Sequence, residues 1–214
     1  REPAGEGQRL SVSKAGAVVG TFELPVGGAH NARNALAAIA VADVVGVPFE
    51  ATARALSAFQ GVQRRFQTRG IAGGVTVFDD YAHHPTEVRA TLEAARERTP
   101  RRILAIFQPH LYSRTQYFGR ALGQALAAAD MVVVTDVYGA REDPLPGVTG
   151  KLVVDGVIET APRKRVAYLP KRGDIASYVA ERSVSGDAVI TIGAGDVTML
   201  GDEILAAISA RGAR

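Results

Sequence analysis

The 214-residue chain contains no cysteine, which excludes disulfide scaffolds, thiolate zinc sites and cysteine nucleophiles. It also lacks any apolar run near the roughly 18 residues that a membrane-spanning helix needs. Its first residues, Arg1-Glu2-Pro3-Ala4-Gly5-Glu6, carry no apolar leader segment, so a cytoplasmic location is expected. Aromatic residues are scarce, at 6%. A nucleic-acid groove wants stacking rings among its cations, and the arginines here are mostly scattered, apart from Arg163-Lys164-Arg165 and Lys171-Arg172. The net charge of +3 therefore reads as a solvated basic face or a surface for anionic ligands, with neither nucleic acid nor membrane as partner. What is present, 47% hydrophobic and 22% charged residues, suits a globular chain of one or two domains.

Alternation in residues 8–14 and the run 17–24, joined by Ala15-Gly16, predicts a two-stranded hairpin. An Ala-rich helix is expected from about Asn31 to Val45, ended by Gly46, with a second from Pro48 to about Ala58. His30 sits at or near the first cap, and Asn31 alone reads as the N-cap. Asn34, one turn on and on the same face, is not explained by capping; paired amides suit the edge of a nucleobase. Residues 59–66 have no periodicity and form the expected linker. Within it Arg64 reads equally as a surface-loop residue, whereas Arg65, flanked by Phe66, reads as a functional cation.

Strand-like runs then recur at about 66–70, 74–79, 102–107, 131–136, 165–169 and 187–192. Helical patterns occupy about 85–97, 114–128, 149–159, 173–182 and 196–210. This alternation predicts an α/β fold, a mostly parallel sheet with helices on both faces. Open sheets of that kind place their ligand crevice at the carboxyl ends of strands. There lies Asp79-Asp80-Tyr81-Ala82-His83-His84-Pro85, with two carboxylates, a phenol and two imidazoles ahead of a helix that Pro85 is suited to begin. His110 and Arg114, one helical turn apart, should share that edge. Gly193-Ala194-Gly195-Asp196 lacks the spacing of a phosphate loop and reads as a tight turn with Asp196 as helix cap.

Four segments together closely resemble the ATP-dependent Mur ligases: Gly28 to Ala38, Arg64-Arg65-Phe66, Asp79 to Pro85, and Gln108-Pro109-His110-Leu111-Tyr112-Ser113-Arg114-Thr115. The resemblance covers essentially the whole chain but only the C-terminal half of such an enzyme. It implies that residues 1–64 are the end of a central ATPase domain and 65–214 a Rossmann-like C-terminal domain. By the same resemblance Asn31 and Asn34 contact adenine, Arg65 the nucleotide phosphates, and Asp80 and His83 the ribose and nucleotide. Tyr81, His110 and Arg114 match positions near the incoming amino acid; Arg65, His110 and Arg114 are the implied catalytic set. Leu111 departs from some relatives, which carry a second arginine there.

The implied cofactors are ATP and Mg²⁺, with the metal ligands expected outside this chain. The implied substrates of the full-length enzyme are UDP-N-acetylmuramate and L-alanine, joined through an acyl phosphate in peptidoglycan synthesis. Without a Gly-rich Lys-Ser/Thr loop, the chain alone is expected to be inactive. A tripeptide-recycling member of the family shares the His-His-Pro motif, but its pattern after the next strand is Pro-Arg-Ser-Asn-Thr rather than residues 108–115. From other classes stand a metal-dependent hydrolase built on Asp79, Asp80, His83, His84 and His110, and a non-catalytic binding module.

Overall fold

A computed structural model describes residues 1–4, 7–98 and 101–212, which divide into two compact units, Arg1–Val62 and Gln63–Arg214. The division falls after Val62, where the sequence reading sets it after residue 64.

In the first unit β2 (Gly7–Lys14) and β3 (Ala17–Leu24) form the expected hairpin. Ala15 and Gly16 both take positive φ, 50° and 84°, the conformation that a two-residue hairpin turn requires. A third strand, β1 (Glu2–Ala4), adds antiparallel to β2. Three residues centred on a proline are too short to display alternation, so the expected two strands are three. Helix α1 runs Ala29–Val44 and α2 Phe49–Ser57. The cap of α1 is Gly28, not Asn31: Asn31 lies inside the first turn and donates its amide N–H to the Gly27 carbonyl at 2.7 Å. Leu10, Val12, Phe22, Leu24, Ala35, Ile39 and Ala53 make the core of this unit, while Leu36, Val41, Val44 and Val45 of α1 and its end are exposed.

The second unit is a six-stranded sheet in the order β4-β5-β9-β6-β7-β8. Its strands are β4 (Gln67–Ala72), β5 (Val75–Asp80), β6 (Ile103–Phe107), β7 (Met131–Val134), β8 (Arg165–Tyr168) and β9 (Ala188–Ile192). Only the edge strand β4 is antiparallel to its neighbour. Helices α3 (Pro85–Arg98), α4 (Tyr112–Leu126) and α5 (Lys151–Thr160) contribute Val88, Leu92, Leu122, Leu126, Val153 and Val157 to one core. Helices α6 (Ile175–Arg182) and α7 (Leu200–Gly212) contribute Ile175, Val179, Leu200, Ile204 and Ile208 to the other. Successive residues of β6 alternate between them, Ile103, Ala105 and Phe107 facing the first and Leu104 and Ile106 the second. A strand buried on both faces must be continuously apolar, which is why no polar residue interrupts it.

The expected α/β architecture is present. Strand β9, last in sequence, inserts between β5 and β6, so the carboxyl ends of three segments far apart in the chain become neighbours. No helix among the described residues is long and apolar enough to cross a membrane.

Candidate active site at the carboxyl ends of the central strands

Asp79 and Asp80 close β5 and, being consecutive in a strand, point to opposite sides. Asp79 is fully buried and accepts from Thr191 Oγ1 at 2.8 Å, Thr198 Oγ1 at 2.7 Å and Arg64 Nε at 3.0 Å. Asp80, 4% exposed, accepts from the backbone N–H of Phe66 at 2.7 Å and of Ala82 at 2.8 Å. Burial raises the Asp80 carboxyl above its ordinary range, against the lowering effect of Ala82, Phe66, Thr91 and Arg65. Both of its oxygens hold the turn that follows. The Asp80 carboxylate, expected from the resemblance to meet the nucleotide, is turned inward onto two amides and organises the loop that carries Tyr81 and His83. Arg64 is likewise no plain surface residue, since its guanidinium reaches the carbonyls of Gly193 at 2.7 Å and Gly195 at 3.3 Å.

Beyond Asp80, the Tyr81 N–H donates to the Arg64 carbonyl at 2.7 Å. Its ring lies beneath the guanidinium carbons of Arg64 and Arg65, 4.9 and 5.8 Å from the centroid. His83 Nδ1 is 2.9 Å from the Tyr81 carbonyl, a contact in which the ring N–H donates. His84 precedes α3, and its Nδ1 accepts the Thr86 N–H at 3.3 Å, an imidazole serving as helix cap. Glu87 completes the arrangement by accepting the N–H groups of His83 and His84 at 3.0 and 3.3 Å, the reciprocal arm of a capping box. Burial pushes the Glu87 carboxyl up, but the His83 N–H, the charges of His83 and Arg65 and the His84 N–H together carry it below its usual value. Glu87 was missed in the sequence reading, although an acid at the third position after a helix start is a legible signal.

The next strand end supplies the other half. Gln108 is buried, its amide donating to Asp196 Oδ1 at 2.6 Å and its carbonyl accepting from Val197 N at 3.1 Å. Asp196 is therefore a tie to β6 and not the expected helix cap. Gly195 has no room for a side chain, because a Cβ there would lie 2.3 Å from Gln108 Oε1 and 2.7 Å from the Tyr138 ring. Tyr138, also missed, pairs with His110 as a parallel bridge, donating to Pro109 O at 2.8 Å and accepting from Leu111 N at 2.9 Å. The two rings stack, 5.8 Å apart and 16° from parallel.

On its other side His110 Nδ1 lies 3.3 Å from Arg114 Nη1; an arginine can only donate, so the imidazole accepts and carries its proton on Nε2. Burial, then the charges of Arg114 and His83, hold His110 below the ordinary imidazole value. Arg114 makes no ion pair among the described residues. Leu111, with φ of 69°, turns the chain into α4, where Ser113 N and Oγ both donate to Glu142.

Tyr81, His83, His110 and Arg114 are thus brought together: the Tyr81 and His83 rings are 5.4 Å apart, and those of His83 and His110 6.3 Å. Arg65 stands at the edge of this group, exposed and 3.7 Å from Glu87. Asn31 and Asn34 lie on α1 of the first unit, half-buried and exposed respectively. The five ligands of the hydrolase alternative do not converge. Asp79 and Asp80 face inward to separate partners, His84 caps a helix, and no described cluster of three or more His, Asp or Glu is disposed to hold a metal.

Residues 64–195 match the family model for the Mur ligase, glutamate ligase domain. The chain belongs to the Mur ligase family. This Mur ligase chain is 54% identical over 185 residues to UDP-N-acetylmuramate–L-alanine ligase of Mycolicibacterium smegmatis, covering 85% of the chain and 37% of the relative. Against the enzyme of that name from an Anaeromyxobacter species it is 44% identical, covering 98% and 45%. It therefore spans less than half the length of the curated relatives it matches. The crystal structure of UDP-N-acetylmuramate-alanine ligase MurC from Thermotoga maritima superposes with a TM-score of 0.80 at 29% identity, over all of this chain and 45% of that one. A murein peptide ligase from Psychrobacter arcticus gives 0.67 at 28%, over 96% and 42%.

Proposed function

We propose that this chain is the C-terminal part of an ATP-dependent ligase that joins L-alanine to UDP-N-acetylmuramate through an acyl phosphate. The observation that carries the reading is Arg114, a half-buried guanidinium that makes no ion pair with a carboxylate among the described residues, set beside a neutral His110 at the carboxyl ends of the central strands. A guanidinium fork matches the two oxygens of an α-carboxylate. Positive neighbours also disfavour the ammonium form of a bound amine, and the amine must be unprotonated to attack. The His110 Nε2–H is a donor fixed by stacking on Tyr138, available to a substrate oxygen.

The amine lone pair then adds to the acyl carbon, inorganic phosphate leaves, and the amine releases a proton. Most of the protein's contribution is positioning and charge stabilisation. ATP would supply the phosphoryl group that activates the lactyl carboxylate. By their chemistry, each unit taken by itself carries groups suited to part of that ligand: in the first, the exposed Asn34 and neighbouring Asn31 suit adenine, and in the second, the exposed Arg65, only loosely paired with Glu87, suits phosphate oxygens. They do not fit Mg²⁺, for which the described residues converge no cage.

The test uses the full-length protein with UDP-N-acetylmuramate, L-alanine and ATP. Formation of the alanyl product with ADP is expected. Arg114→Ala should raise KM for alanine about ten- to a hundredfold, the loss of a charge-assisted bond of about 1.5–3 kcal/mol, and leave KM for ATP unchanged. Arg114→Lys should recover part of this. No alanyl product from the wild type, or unchanged alanine kinetics in Arg114→Ala, would refute the reading.

A further inference from the structure

We propose that Arg64 is a positioning residue for the Tyr81 ring, and through that ring for the amino-acid end of the site; this rests on the function proposed above. Arg64 adopts φ of 58°, a left-handed conformation that a residue with a Cβ keeps only when its surroundings over-determine it. They do so here. Its N–H donates to Gln67 Oε1 at 3.0 Å and its carbonyl accepts the Tyr81 N–H at 2.7 Å. Its Nε donates to the buried Asp79 at 3.0 Å, and its Nη2 to Gly193 O at 2.7 Å and Gly195 O at 3.3 Å.

One edge of the planar guanidinium is therefore locked onto β5 and the turn after β9. Its carbon is left 4.9 Å from the centroid of the Tyr81 ring. Tyr81 needs such an anchor. The residue is 36% exposed, and its phenol makes no hydrogen bond among the described residues. Its ring is placed by the Arg64 and Arg65 guanidiniums and by the edge of His83, whose own Nδ1 is tied to the Tyr81 carbonyl. A lysine at 64 could reach Asp79 or lie over the ring, but a single ammonium on a flexible stem cannot hold both contacts and the glycine carbonyls together.

The first test is aromatic ¹H–¹³C spectroscopy of the 214-residue chain, which needs no catalysis. Arg64→Lys should move the Tyr81 ring signals and leave those of Tyr168 in place. Unchanged Tyr81 signals would overturn the proposal. The second is a double-mutant cycle in the full-length ligase. Arg64→Lys should raise KM for alanine roughly three- to tenfold and spare KM for ATP. In a Tyr81→Leu background the same substitution should have no further effect on alanine. An equal effect in both backgrounds, or equal losses for alanine and ATP, would reduce Arg64 to a partner of Asp79 and overturn the proposal. Should Arg64→Lys fail to fold, Arg64→Met combined with Asp79→Asn removes the ion pair and the ring contact without stranding a charge, and carries the same expectations. A wild-type enzyme that makes no alanyl product would sink the functional reading, and the Tyr81 signals would still decide the positioning.

Discussion

Replacing Asp79 by alanine removes the acceptor of three donors at once: the hydroxyls of Thr191 and Thr198 and the guanidinium of Arg64. Asp79 is fully buried and the Arg64 side chain only 24% exposed, so water replaces little of what is lost. Removing one partner of a buried, hydrogen-bonded ion pair costs about 3–5 kcal/mol. Asp79→Asn keeps the volume and can keep the geometry. With its oxygen toward Arg64 and Thr198, its amide would donate to Thr191, whose hydroxyl already lies 3.2 Å from the Phe78 carbonyl and can turn to it. Only charge assistance disappears, at about 1–3 kcal/mol. Native-state hydrogen exchange at the β5 and β9 amides measures both values without assuming that the two units unfold together. A thermal scan should show a fall of roughly 6–20 °C for the alanine variant. An asparagine variant as unstable as the alanine one would mean that charge, not satisfied hydrogen bonding, holds this junction. The pairing argument would then be wrong.

His110 should titrate below the ordinary imidazole value of 6.5, and Arg114→Ala should move it upward by removing one of the charges that depress it; an unmoved NMR titration would refute their coupling. Because the folded value is the lower one, the unfolded chain binds more protons between the two, so the His110 contribution is intact above about 6.5 and is lost as pH falls toward the folded value. Gly195→Ala should destabilise the second unit by about 1–3 kcal/mol in urea unfolding, since its methyl group must displace Gln108 or Tyr138; a neutral result would mean that the turn yields freely. Amides of residues 1–60 should exchange faster than those of 66–214, because α1 leaves Leu36, Val41 and Val44 exposed over a small core; equal protection in the two segments would refute this.

Periodicity made the second unit readable. A strand such as β6 is buried on both faces and must be apolar throughout, and a helix must repeat its apolar face every three to four residues, so burial leaves its imprint on each short segment of sequence. The segment from Asp79 to Pro85 announced a site because polar groups crowd the end of a strand. Local sequence did not reveal the division of labour inside it. Asp79 and Asp80 are chemically the same, and only the partners brought by β9, Thr191 and the Gly193 turn, and by the Phe66 and Ala82 amides distinguish an ion-pair anchor from a loop anchor. Arg64 and Arg65 differ in the same way, one bound to a turn more than a hundred residues later and the other exposed. The strand end that carries Tyr138 stood out in the sequence, but its pairing with His110 did not, because His110 lies on a different strand end. The sequence by itself determined which segments of the second unit are strands and helices, since that depends on each residue's own burial. The tertiary structure alone decided which of the strand-end side chains come together, since that depends on β9 entering between β5 and β6, a pairing between distant segments that no local pattern encodes.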